Sequence, residues 1–323
     1  GRARLERQID SVLTEVQGSC DAAQNLAELI ESIDAVAFKM PQQMFPRLVG
    51  GIAAGQAPYQ NLLLRASQIP GAPELLMEMA RGLPHNVTTQ MDLALWRTAQ
   101  VIRADDHAAA HFSSTEVGRL VMEYHSEKLP AAAQIAIRSF LSTYGMRGIG
   151  EIDLGRPRWR ENPTGLFQVL KSYLQIDPAL SPEAVFQRGA GKIWQVQAQL
   201  EQIFSEAPKG KRISPHLVRL LLERFRELGG LRETPKFFVV RLLGIYREAL
   251  LAAGQKLVEA GRLTAAEDVF FLHLWELKTL GDSETRHWQT LIAERRATNA
   301  REARRRRIPR IMLSDGTAFY DAP

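Results

Sequence analysis

Gly229-Gly230-Leu231-Arg232-Glu233-Thr234-Pro235-Lys236 leads into a long helical segment that runs to Ala260 and stops at Gly261. A helix beginning near Glu233, with Thr234 ahead of Pro235 as its start signal, sets Arg232 and Lys236 about one turn apart on one face. Two chemical readings follow. Arginine offers a planar fork of donors, lysine a mobile point charge, and the exposed N–H groups of a helix start add partial positive charge, a combination suited to a phosphoryl group. The alternative is a helix start carrying two solvated cations, since lysine and arginine are common on every surface. Either way, the grammar of start signal, apolar face and glycine stop is helical.

That grammar recurs on both sides. Apolar residues at Leu5, Ile9, Val12, Leu13 and Val16 define one helical face, and Leu26, Leu29, Ile30, Ile33 and Val36 define another. Pro41 and Pro46 are read as breaks, and Gly50, Gly51 and Gly55 as sites of a bend or a close approach. Asn86 is expected as an N-cap, followed by a helix marked by Met91, Leu95, Trp96 and Val101. Ser113-Ser114-Thr115-Glu116 and Thr264-Ala265-Ala266-Glu267 have the form of capping boxes, while Ser181-Pro182 and Ser214-Pro215 are helix starts. Only the tail beyond Ile308 is expected to be extended, with Ser314-Asp315-Gly316 as a turn. The fold class is therefore mainly α, a multi-helix domain with few or no strands. No fixed-period repeat is present.

Composition narrows the function classes. The chain has 323 residues, 45% of them hydrophobic, enough to bury a substantial core. No run approaches the roughly 20 apolar residues of a membrane helix, and a cytoplasmic setting is expected. The opening Gly-Arg-Ala-Arg-Leu-Glu-Arg has neither an initiator Met nor an apolar signal core, and reads as the middle of a helix in a longer polypeptide. Cys20 is the only cysteine, so an internal disulfide is excluded. His107 and His111 have helical spacing but no accompanying acid of a zinc motif, and no metal site is expected. The net charge of +5 is local: residues 294–310 hold eight arginines and two glutamates. Arg304 to Arg307 could meet an acidic partner, but without interleaved aromatics nucleic acid is not the expected one.

Helical periodicity stops between Gly145 and Gly165. This stretch is too long and too charged for a simple connection, and loops of this kind carry function. Arg147, Glu151 and Asp153 are spaced to form an internal network or to meet a substrate, and glycines at 145, 148, 150 and 155 permit unusual backbone angles. The order Gly-x-Gly-x-x-Gly is absent, which excludes a dinucleotide fingerprint.

Three stretches in this order carry a resemblance: Tyr144-Gly145-Met146-Arg147 with Glu151-Ile152-Asp153 and Arg156-Pro157-Arg158-Trp159; Leu231-Arg232-Glu233-Thr234-Pro235-Lys236; and Glu267-Asp268-Val269-Phe270-Phe271-Leu272. Together they resemble the central helical region of the phosphoenolpyruvate-synthase-like phosphotransferases, nearest the rifampin-phosphorylating subgroup. The resemblance implies an ATP-grasp module using ATP and Mg, a helical substrate-binding domain, and a swivelling phosphohistidine domain that carries the phosphoryl group to an acceptor hydroxyl. In those terms residues 1–307 would be the substrate-binding domain and 308–323 the linker toward the histidine domain, with ATP and Mg bound elsewhere and this chain inactive alone. The resemblance implies that Arg232 and Lys236 meet the transferred phosphoryl group. Met146, Arg147, Glu151, Asp153, Met91 and Phe45 are the residues expected at the substrate. Thr234 and Gly148 stand where the subgroup carries an aromatic residue and a cysteine, which leaves the acceptor open between a rifamycin and a small alcohol, enol or phenol. A helical scaffold that docks an acidic partner through the arginine tail is the reading from another class.

Overall fold

The computed structural model describes residues 1–280 and 285–320. The chain is mainly α-helical, as its patterning predicts: α1 Arg2–Ala22, α2 Leu26–Gln43, α3 Phe45–Ala66, α4 Ala72–Met79, α5 Val87–Ala104, α6 Asp106–Ser114, α7 Val117–His125, α8 Ala131–Tyr144, α9 Thr164–Gln175, α10 Pro182–Gly191, α11 Ile193–Glu206, α12 Pro215–Leu228, α13 Thr234–Glu259, α14 Leu274–Thr279 and α15 Thr285–Glu302. Short 3₁₀ turns span Pro178–Leu180, Gly229–Glu233 and Ala266–Phe271. Contacts group the chain into two units, Gly1–Ser19 with Asp34–Tyr246, and Cys20–Ile33 with Arg247–Pro323. No helix among the described residues is long and apolar enough to cross a membrane.

In the first unit two apolar clusters form around helical faces. One gathers α3, α4, α11 and α12 through Leu62, Leu76, Leu200, Phe204 and Leu222. The other gathers α5 to α9 through Ile102, Phe112, Leu120, Ile137 and Phe167. Each fully buried side chain of this size contributes about 1.5–3 kcal/mol by leaving water. The Gly229–Glu233 turn connects α12 to α13, and its glycines are there for space. A Cβ on Gly230 would lie 2.2 Å from the Pro84 carbonyl oxygen, and one on Gly229 would lie 2.8 Å from the Phe225 ring. In α3, a Cβ on Gly55 would lie 2.7 Å from the Leu228 backbone, so the close approach expected there is real.

Several start signals act as read. The Asn86 side chain accepts from the N–H groups of Thr88 and Thr89, Ser181 caps α10 through Ala184 N–H, and Ser214 caps α12 through Leu217 N–H. Others do not. Ser113 and Ser114 belong to α6 and donate back to the carbonyls of Ala109 and Ala110, so the expected capping box does not form and α7 starts only at Val117. The competing i−4 bond is the local alternative open to any helical serine. Pro41 lies inside α2, and the break falls at Met44, with Pro46 in the first turn of α3, where its missing N–H costs nothing.

The second unit is held by charged caps. The Asp268 carboxylate accepts from the N–H groups of Thr264 and Ala265, which gives Asp268 the role expected of Glu267. Arg296 pairs with Asp268, and Arg295 binds both oxygens of buried Glu276 at 2.6 and 2.8 Å. Cys20 is buried, and burial pushes its thiol up to about 11. The tail is extended as expected, a two-stranded antiparallel pair of β1 Ile311–Met312 and β2 Ala318–Phe319. Gly316 turns it at φ +88°, and Asp315 accepts from Thr317 N–H. Residues 321–323 of the expected linker lie outside the described residues.

Candidate functional site

The irregular stretch after α8 is closed on itself by its backbone. Trp159 N–H donates to the Arg147 carbonyl at 2.7 Å and Arg160 N–H to that of Gly145 at 3.1 Å, which folds residues 145–160 into a compact loop. A Cβ on Gly148 would lie 2.8 Å from the Pro157 carbonyl, and Gly150 turns at φ +69°. The glycines thus permit a tight crossing of the two arms of the loop.

Glu151 is the centre of this loop. Its side chain is only 6% exposed, and one oxygen accepts from Gly148 N–H at 3.0 Å while Arg147 Nε lies 2.9 Å from the same oxygen. Its other oxygen lies 3.0 Å from Lys236 Nζ, which arrives from the first turn of α13. A carboxylate taken out of water needs this density of partners, because an unpaired buried charge is costly. Lys236 itself is half-exposed. These groups line a cleft of about 650 Å³ whose walls include Met91, Gly148, Ile152, Asp153 and Trp159. Asp153 is exposed and accepts from Gly155 N–H.

The structure therefore brings Met91, Arg147, Glu151, Asp153 and Lys236 to one cleft from three separate stretches of sequence. Met146 is not among the cleft-lining residues: a Cβ on Gly244 would lie 2.0 Å from its sulfur, so the Met146 side chain lies in the notch that Gly244 leaves on α13, and Arg160 contacts the same sulfur. Arg232 is 69% exposed, pairs with Glu233 at 3.0 Å and is not among the cleft-lining residues. Phe45, 63% exposed at the start of α3, is not among them either. The free helix start expected at Lys236 is also absent. The Gly229–Glu233 turn runs directly into α13, and Thr234 N–H donates to the Leu231 carbonyl. The cations of the cleft are the Arg147 and Lys236 side chains, matched by the carboxylates of Glu151 and Asp153. Sequence reasoning passed over Trp159 as a wall and Gly244 as a seat, although a glycine inside a helix, at a cost of about 1 kcal/mol, signals a close neighbour.

Among the described residues no three His, Cys, Asp or Glu side chains are grouped so as to hold a metal ion. His111 Nε2 instead lies 2.5 Å from the Glu123 carboxylate, and hydrogen bonds from His111 and Arg119 hold that carboxyl below the usual range.

A family model described as the rifampicin phosphotransferase fourth domain matches residues 43–233, which include Met91, the whole 145–160 loop and Arg232. The chain belongs to the rifampicin phosphotransferase family. It is 31% identical over 242 residues to a rifampicin phosphotransferase of Streptomyces sviceus, covering 74% of this chain and 27% of that protein. A second from Streptomyces sp is 30% identical over 280 residues, covering 86% and 32%, and a third from Bacillus subtilis is 28% identical over 239 residues, covering 74% and 27%. The chain thus spans about a quarter to a third of the length of these rifampicin phosphotransferases.

Proposed function

We propose that this chain is the acceptor-binding part of an ATP-dependent dikinase of the rifampicin phosphotransferase family, working with ATP-grasp and phosphohistidine domains of the same polypeptide. The observation that carries the reading is the convergence of Lys236, Arg147 and Glu151 at a cleft walled by Met91 and Trp159. An acceptor with an apolar body packs on the methionine and the indole, which leaves its hydroxyl at the charged end. The phosphorus–nitrogen bond to the histidine breaks as the phosphorus–oxygen bond to the acceptor forms, and the hydroxyl proton ends, in balance, on the released histidine nitrogen. Lys236 neutralises charge on the equatorial oxygens, and exposed Arg232 completes the clamp when the histidine domain arrives. Arg147 and Glu151 hold the lysine where the oxygens pass. ATP and Mg act at the ATP-grasp domain and supply the phosphohistidine.

The relatives' names make a rifamycin hydroxyl the first acceptor to test. Calorimetry of this chain with rifampicin, a simple phenol and pyruvate should give saturable micromolar binding for rifampicin, roughly −8 kcal/mol, and loss of it in Trp159→Ala. Binding of the phenol alone, with no rifampicin signal, would move the reading to a small acceptor. Rifampicin binding that Trp159→Ala leaves unchanged would place the acceptor elsewhere.

A further inference from the structure

A second cleft, of about 780 Å³, lies on another side of the first unit, between α4, α5, α10 and α11. It is built on the face of α5 that carries Thr89, Asp92 and Leu93. At 100° per residue, Met91 of the first cleft lies about 150° round the same helix. The two clefts therefore share α5 as a wall and open on opposite faces of it.

The walls are fixed by identifiable contacts. Arg226 of α12 donates to the carbonyls of Met79, Arg81 and Gly82 at 3.1, 2.7 and 2.8 Å, which ties down the end of α4 and the turn after it. Gly82 comes so close to α10 that a Cβ there would meet the Phe186 carbonyl at 3.5 Å and Ala190 N at 3.6 Å. Arg97 of α5 reaches Glu183 of α10 at 3.4 Å. A cleft with braced walls is present before anything enters it.

Its lining has two characters. Leu93, Ile193 and Val196 form a buried apolar floor, while Leu180 and Val185 are left 70% and 56% exposed at its sides. Apolar surface held open to water around a concavity is stabilised by an apolar occupant, at about 25 cal/mol per Å² covered. Around this floor stand Arg81, Arg188 and Lys192 against the carboxylates of Glu78 and Asp92, and Asp92 already accepts from the Tyr173 hydroxyl. The Arg81 and Lys192 side chains are exposed, with no ion pair to another described residue.

We propose that this cleft is a second ligand site, for a small apolar molecule bearing one anionic group, with the apolar body on Leu93, Val185 and Val196 and the anion between Arg81 and Lys192. The site is separate from the acceptor cleft and does not depend on the reaction assigned there.

Three eight-carbon probes that differ in head-group charge test it by calorimetry on the 323-residue chain: octanoate, 1-octanol and octylammonium. Octanoate should saturate one site and bind about threefold to tenfold more tightly than octanol, the gain expected of partly exposed charge pairing, with the cation weakest. Lys192→Glu, at an exposed position, should erase the preference for octanoate and leave octanol binding unchanged. Val185→Asp should weaken both, and Lys236→Ala should change neither. Equal binding of the three probes, no saturable binding at millimolar concentration, or binding lost in Lys236→Ala and kept in Lys192→Glu would overturn the proposal.

Discussion

Lys236 meets Glu151 through a carboxylate oxygen that nothing else among the described hydrogen bonds occupies, while Arg147 and Gly148 N–H take the other oxygen. This division of labour gives two different expectations. If the proposed function holds, Lys236→Ala in a full-length polypeptide that contains this chain should leave histidine autophosphorylation intact and slow transfer to the acceptor about 10²-fold, the usual loss for one charge-stabilising group. Equal transfer rates for the two proteins would remove Lys236 from the reaction. Glu151→Gln keeps the shape but loses the charge that two cations share, and should cost about 1–3 kcal/mol of stability, read as a lower urea midpoint at unchanged slope. Arg147, Glu151 and Asp153 were legible as a group because opposite charges so closely spaced in a glycine-rich loop invite pairing. Lys236 was legible as a cation near a helix start, but its partner lies 85 residues away in the chain, a distance no local pattern spans. Arg232 drew attention by its one-turn spacing from Lys236 and by the resemblance, Phe45 as an apolar wall, and both stand exposed outside the cleft lining.

Among the elements, helix existence was legible throughout, because an apolar stripe at 3.6-residue spacing survives into the packed face. Boundaries were legible where one side chain had one good partner, as at Asn86, Ser181 and Ser214. They failed where a serine had two, as at Ser113 and Ser114, whose hydroxyls bond back within α6. The glycine pair at 229 and 230 was legible by position and not by cause. It reads only as the lead into a helix and is a packing contact against Pro84 and Phe225. Two substitutions separate the meanings of glycine in this chain. Gly230→Ala drives a methyl into a backbone carbonyl 2.2 Å away and should destabilise the first unit by roughly 3 kcal/mol or more. Gly50→Ala, in mid-helix α3 with nothing within 4 Å, should stabilise it by about 0.5–1 kcal/mol. Thermal melts of the two variants beside the parent check both signs.

Over the whole molecule, each unit contains a buried carboxylate whose charge is held by an arginine. In the first, hydrogen bonds from Arg219 hold Glu201 below the usual carboxylate range; in the second, Arg295 does the same for Glu276, helped by His273 N–H. A carboxyl with a folded-state value below its unfolded one stabilises the fold above the unfolded value and loses that contribution as pH falls through the folded one. Stability should therefore be flat from neutral pH down to about 4.5 and decline below it, where the unfolded chain begins to take up protons. Glu201→Gln and Glu276→Gln should each flatten part of that decline in urea midpoints measured from pH 7 to pH 3, and a decline identical to the parent's would remove the assignment. The division into two units was not legible, because it falls inside α1, α2 and α13, where helical patterning continues without a mark. One contact in the first unit also governs how the chain can change in length. By binding the carbonyl of Met79, the last residue of α4, and those of Arg81 and Gly82 in the turn after it, the Arg226 guanidinium gauges where α4 ends. A residue inserted between Met79 and Gly82 would change the spacing of those carbonyls and leave part of the fork empty, so this short connection is closed to the insertions and deletions that surface loops ordinarily tolerate.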